Sequence, residues 1–145
     1  MPASTGFTGK TGRGTAEHCG VHGKVDIITG KGALFFSLAL INATEGLLPL
    51  SQYAMFALAS LSYHDYEGLA VNEDEKLRLQ TDLGESNFML LRNHGALTLG
   101  QTIGDAFMHM YDLTRACQVQ LQIMSTGMEP VYAPQTIVDG IKAQA

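Results

Sequence analysis

The sequence predicts an α/β domain, and three stretches carry that reading. Phe88 to Leu91 is a short, wholly apolar run of the kind that forms a buried strand, and Ala96 to Leu99 alternates before stopping at Gly100. Between them lies Arg92-Asn93-His94-Gly95, a turn that ties the two strands together. After them, Ala106, Phe107, Met110, Leu113, Thr114, Cys117, Leu121 and Met124 recur at spacings of three and four, the apolar stripe of a helix.

Taken in order, the chain begins with a segment unlike the rest. Over residues 1–31 glycines recur at 6, 9, 12, 14, 20, 23 and 30 with no period of 2 or 3.6, so this part reads as a Gly-rich divergent or disordered tail. Residues 33–43 are apolar and fit either a strand or a buried helix. Gly46 to Pro49 breaks any helix, and Ser51 is a suitable N-cap for a helix from Gln52 to about Leu61. Tyr63 to Tyr66 reads as a short strand or extended loop ending at Gly68. Asn72 then caps a helix whose first turn is acidic, with Leu77, Leu79 and Leu83 as apolar contacts and Gly84 closing it. Thr102 with Asp105 resembles a capping box at the start of the striped helix. That helix ends before Gly127 and Pro130, and one short helix is expected from Gln135. The organisation is thus a tail over 1–31, a domain over 32–128 and a C-terminal tail over 129–145.

Composition narrows the function. With 145 residues, 46% of them hydrophobic, the chain can bury one sizeable core. A net charge of -5, with nine scattered Lys and Arg, argues against nucleic acid, which needs a clustered basic surface. Two distant cysteines, Cys19 and Cys117, fit a reducing compartment. Met1 to Gly6 shows no basic region leading into an apolar core, so no secretory leader is expected. The longest apolar run, Gly32 to Ile41, falls well short of the roughly 20 residues a membrane span needs. A cytoplasmic protein with no membrane partner is the expectation.

Several groups could carry chemistry. His94, pinned between two strands, is placed for metal ligation or proton transfer, although a turn histidine of this kind also serves as a hydrogen-bonded structural residue. His64, Asp65, Tyr66 and Glu67 form a dense polar cluster, read as a packing and hydrogen-bonding motif at a sheet edge because neighbours on an extended segment face opposite sides. His18, Cys19 and His22 are potential ligands, but Gly20 and Gly23 oppose the helix that would align them. Gly6 to Thr11 ends like a phosphate-binding loop, yet Ser4 stands where the first glycine belongs. His109, on the flank of the striped helix, reads as a surface or interface residue, and the methionines as core fillers.

A set of ordered motifs adds a resemblance. Gly46-Leu47-Leu48-Pro49-Leu50-Ser51-Gln52-Tyr53, Tyr63-His64-Asp65-Tyr66-Glu67-Gly68, Asp82-Leu83-Gly84, Leu90-Leu91-Arg92-Asn93-His94-Gly95, and Ala106-Phe107 with Arg115-Ala116-Cys117 together resemble the class II aldolase/adducin domain, from about Glu45 to about Gln122. The match corresponds to the C-terminal part of that domain, its N-terminal part being missing or divergent. The resemblance implies a three-layer α/β/α fold with a mostly antiparallel sheet. It implies Zn2+ or another divalent metal held by three histidines, of which His94 matches the third, and carbon–carbon cleavage of a small hydroxy-carbonyl, sugar-phosphate-like substrate through a metal-stabilised enediolate. Tyr53 falls at the position of a tyrosine that donates a proton from a neighbouring subunit, and a homo-oligomer is implied with it. The first two histidines form a His-x-His pair that belongs near positions 30 to 33. This chain reads Thr29-Gly30-Lys31-Gly32-Ala33-Leu34 there, without a histidine. The expectation is therefore an aldolase-like domain whose metal triad is incomplete. The alternatives are a non-catalytic adducin-like domain, with self-association and actin or cytoskeletal partners, and a degenerate, truncated family member.

Overall fold

The computed structural model describes residues 26–30, 45–68 and 73–142. In chain order these give β1 (Asp26–Gly30), α1 (Gln52–Leu58), β2 (Leu61–His64), α2 (Glu73–Leu83), β3 (Phe88–Leu91), β4 (Gly95–Gly100), α3 (Ile103–Ser125) and α4 (Gln135–Lys142). The strands form one sheet in the order β1-β4-β3-β2. β4 is antiparallel to both neighbours, with Gly30 opposite Ala96 and Leu91 opposite Gly95. β2 runs parallel to β3, with Leu61 opposite Phe88 and His64 opposite Leu91. A parallel pair needs a crossover, and α2 supplies it.

Side-chain alternation along β3 and β4 divides the core in two. Phe88, Leu90 and Ala96 pack with Ala54 and Ala57 of α1 and with Met110, Leu113, Ala116 and Cys117 of α3. Met89, Leu97 and Leu99 point the other way, onto Leu79 and Leu83 of α2. Helices thus cover both faces, which is why β3 is apolar at every position instead of alternating with polar residues. The result is the three-layer α/β arrangement with a mostly antiparallel sheet.

Local signals set the helix ends. Ser51 Oγ accepts a hydrogen bond from the Ala54 N–H at 3.2 Å. Thr102 and Asp105 form the full capping box at α3: the Thr102 hydroxyl accepts from the Asp105 N–H at 3.1 Å, and the Asp105 carboxylate accepts from the Thr102 N–H at 3.0 Å. Gly84 follows α2 with φ +48, the left-handed conformation that favours glycine. Gln120, buried within α3, anchors the loop before α1: its Nε2 donates to the Gly46 carbonyl at 2.9 Å, and its Oε1 accepts from the Leu48 N–H at 2.8 Å.

Three segments depart from the sequence reading. Asp26 to Gly30, within the stretch assigned to a tail, form β1, because five backbone positions pair with β4 and no hydrophobic alternation is needed. α1 stops at Leu58, and Leu61, expected at its end, opens β2, where pairing with β3 replaces helical bonding. Beyond Gly127 the short helix starts at Gln135 as expected, but the stretch read as a tail is fastened to the body: the Ala133 N–H donates to the Pro49 carbonyl at 3.0 Å, and α4 lies against α1. The segment 33–43 lies outside the described residues, as do Asn72, the Gly6–Thr11 loop, and His18, Cys19 and His22. Among the described residues, no helix is long and apolar enough to cross a membrane.

Candidate functional site

The site forms where β2 ends beside the turn joining β3 and β4. Asn93 occupies the left-handed region at φ +54, which asparagine tolerates better than most residues. The His94 N–H donates to the Leu91 carbonyl at 3.1 Å, and the Arg92 N–H donates to the His64 carbonyl at 2.9 Å, so the turn is fastened to both strands. The Arg92 guanidinium lies over the Tyr63 ring, 5.1 Å from its centroid. These bonds hold His94 half-buried at the wall of a cavity of about 190 Å³. His64, Tyr66, Glu67, Glu75 and Arg92 line the same cavity.

His64 is the most enclosed polar group there, 3% exposed at the end of β2. Its Nδ1 lies 2.7 Å from Asp82 Oδ2, so the carboxylate accepts the Nδ1–H. Among the described residues its Nε2 has no hydrogen-bond partner, and Glu75 Oε1 stands 3.9 Å away. Glu75 and Asp82 are seven residues apart on α2, two turns along one helical face, and that face meets the end of β2. Arg78, on the same helix, makes an exposed ion pair with Glu67 through both Nε and Nη2, tying the loop after β2 to α2. That guanidinium holds the Glu67 carboxyl below the usual carboxylate range.

The other candidates lie elsewhere. Tyr53 sits on α1, packed against the α1/α3 core and edge-on to Tyr111 at 6.3 Å between ring centroids, and it does not line the cavity. His109 is half-buried, not a surface residue: its Nδ1 is 2.6 Å from the Leu99 carbonyl, to which it donates, and its ring packs on Phe88 at 4.8 Å. Burial raises the nearby Asp112 carboxyl, and the charge of His109 opposes that shift. Cys117 is a buried thiol pushed up to about 12 by its apolar surroundings, which makes it unreactive near neutrality. The association of His64 with Glu75 and Asp82 was hidden in the sequence, because the acids lie on a separate helix. The one available signal was the pair of acids at helical spacing after a strand-ending histidine.

A three-histidine metal site can be tested against this geometry. The register places Gly30, the last residue of β1, opposite Ala96 and so brings that end of β1 beside the His94 turn. Positions 30 to 33 carry no imidazole. Among the described residues, no group of three His, Cys, Asp or Glu is disposed to hold a metal ion. The described donors therefore fall short of the three or four protein ligands that such a centre requires.

The model of the Class II Aldolase and Adducin N-terminal domain matches residues 32–121. The chain belongs to the class II aldolase/adducin family. Over 105 residues it is 54% identical to a Pseudomonas aeruginosa protein whose name assigns it to aldolase class 2, covering 72% of this chain and 40% of that relative. It is 38% identical over 94 residues to alpha-adducin of Rattus norvegicus, covering 63% of this chain and 13% of adducin. A crystal structure of an aldolase II superfamily protein from Pseudomonas syringae superposes with a TM-score of 0.83 at 32% identity, over 92% of this chain and 53% of that one. The chain therefore spans about half, or less, of the length of these relatives. L-fuculose 1-phosphate aldolase from Glaciozyma antarctica shares the fold, with a TM-score of 0.68 at 19% identity over 91% of this chain and 50% of that one.

Proposed function

We propose that this chain is a class II aldolase-type domain that receives a small hydroxylated carbonyl compound in the His94 cavity but does not itself cleave carbon–carbon bonds through a metal. The observation supporting this reading is the donor set around His94. The neighbouring strand end supplies Gly30 in place of a ligand, and a single imidazole holds zinc weakly. Without a metal to stabilise it, the enediolate of aldol cleavage has no adequate electron sink in the cavity. His94 remains as a hydrogen-bonding group for an oxygen-rich ligand. Tyr53 acts in this reading as a packing residue between α1 and α3. The test is incubation of the full chain with L-fuculose 1-phosphate and saturating Zn2+. No product above the zinc-only background is expected, and turnover abolished by His94→Ala would overturn the proposal.

The 38% identity to alpha-adducin favours a second reading, self-association. Ile103, Phe107 and Tyr111 are exposed on α3, an apolar surface suited to a homo-oligomer. Light scattering is expected to give a mass above that of one chain, lowered by Phe107→Ser. A clean monomer would remove this reading and leave the first untouched.

A further inference from the structure

We propose that His64 is a proton-operated latch: on gaining a second proton its ring draws Glu75 onto Nε2 and locks the first turn of α2 against the end of β2. The buried ring has a carboxylate beside each nitrogen. Asp82 Oδ2 accepts the Nδ1–H at 2.7 Å, and Glu75 Oε1 stands 3.9 Å from Nε2, within ion-pair range but too far for a hydrogen bond. In the neutral ring Nε2 is a lone-pair acceptor, and the Glu75 carboxylate offers it only another acceptor. Among the described residues that nitrogen has no hydrogen-bond partner, and it is closed off from the cavity, so a bound molecule cannot supply the missing donor. A proton, carried in by local opening, can. It turns Nε2 into a charged donor beside a carboxylate, and a charge-assisted bond of ordinary length needs Glu75 to approach by only about 1 Å.

The charges around the ring favour this closure, and the fold confines it to one end of α2. Asp82 and Glu75 face the ring from α2. Glu67, on the loop after β2, is held low first by its hydrogen bond from Arg78 and also feels the charge of His64. Arg92 gives its backbone N–H to the His64 carbonyl while its guanidinium lies over Tyr63, and Asp65 and His94 line the neighbouring cavity. The C-terminal half of α2 is anchored by Leu79, Leu83 and Asp82, whereas Glu75 stands in the first turn. Closure is therefore felt in that turn and at the cavity wall, to which Glu75 and Leu79 both contribute. Histidine changes charge between about pH 5 and 8, so the latch is open at the alkaline end of that range and shut at the acidic end.

The test is a titration of the full chain, labelled with 15N-histidine, from about pH 8 down to about 5.5. The His64 Nε2 resonance is expected to change from that of a lone-pair nitrogen to that of a protonated one. In step with it, hydrogen-exchange protection of the Leu77, Arg78 and Leu79 amides, which close the first turn of α2, should rise about tenfold after correction for intrinsic rates, the equivalent of one charge-assisted hydrogen bond. The Glu75→Gln amide pairs with Nε2 in either protonation state, by its N–H or its carbonyl, so protection in that variant should stay constant with pH. The wild-type response should persist in His94→Ala, which lacks the other imidazole at the cavity. A His64 ring that stays neutral throughout, a ring that titrates with unchanged α2 protection, an equal rise in Glu75→Gln, or a response lost in His94→Ala would each overturn the proposal. The first two outcomes are read on the wild-type chain, so they decide the matter whether or not the variants fold.

Discussion

The two faces of the sheet are built to different standards. On the α1/α3 face, Ala57, Leu90, Leu113 and Cys117 are fully buried, and the polar groups among them are paired. Thr98 donates its hydroxyl to the Ala106 carbonyl at 2.9 Å, and Gln120 uses both ends of its amide. On the α2 face the apolar cluster is smaller, an open cavity adjoins it, and the buried His64 keeps an unpartnered nitrogen. Satisfied polar groups and close packing are what stability requires, whereas an unsatisfied buried acceptor costs free energy. The difference places the closely packed, fully paired core on one side of the sheet and the open cavity on the other.

Substitutions can break that contrast. Leu113→Ala empties the centre of the α1/α3 core and is expected to cost about 3–5 kcal/mol in urea denaturation. Leu97→Ala, at the cavity wall, should cost nearer ~2 kcal/mol, since its side chain already borders open space. Equal losses would erase the distinction. Gln120→Leu strands the Leu48 N–H and the Gly46 carbonyl, and a loss of about 2–3 kcal/mol follows from leaving both without their partner. Removing the α3 cap with Thr102→Ala should cost about 1 kcal/mol by the same measurement.

The smallest effect at neutral pH belongs to Cys117. Its folded-state thiol lies at about 12 against an ordinary value of 9.0, so the unfolded chain releases this proton first as pH rises. The associated stability is intact below about pH 9 and is lost as pH climbs toward 12. Denaturation midpoints measured across that range should fall less steeply in Cys117→Ala. The native protein should also resist thiol reagents at pH 7, and rapid labelling would show that the core under α3 opens.

Much of the fold was legible because local rules and packing agree. The Thr102–Asp105 box, the Ser51 cap, the Gly84 stop and the stripe from Ala106 to Met124 each announce themselves within a few residues. β1 was not legible, since Asp26 to Gly30 owe their extended form to β4, some 70 residues later, and tertiary pairing leaves no local period. The site divides in the same way. His94 stands out through its turn, but the environment of His64 depends on α2 folding back across the end of β2. His109 reads as a surface or interface residue on helical spacing alone, and only the approach of the Leu99 carbonyl and the Phe88 ring shows why it is held half-buried.

The incomplete donor set around His94 is tested most directly by the metal content of the purified full chain after exposure to excess Zn2+ and exhaustive dialysis. The account predicts zinc well below one equivalent per chain, unchanged by His94→Ala. One tightly held equivalent that disappears in His94→Ala would contradict it.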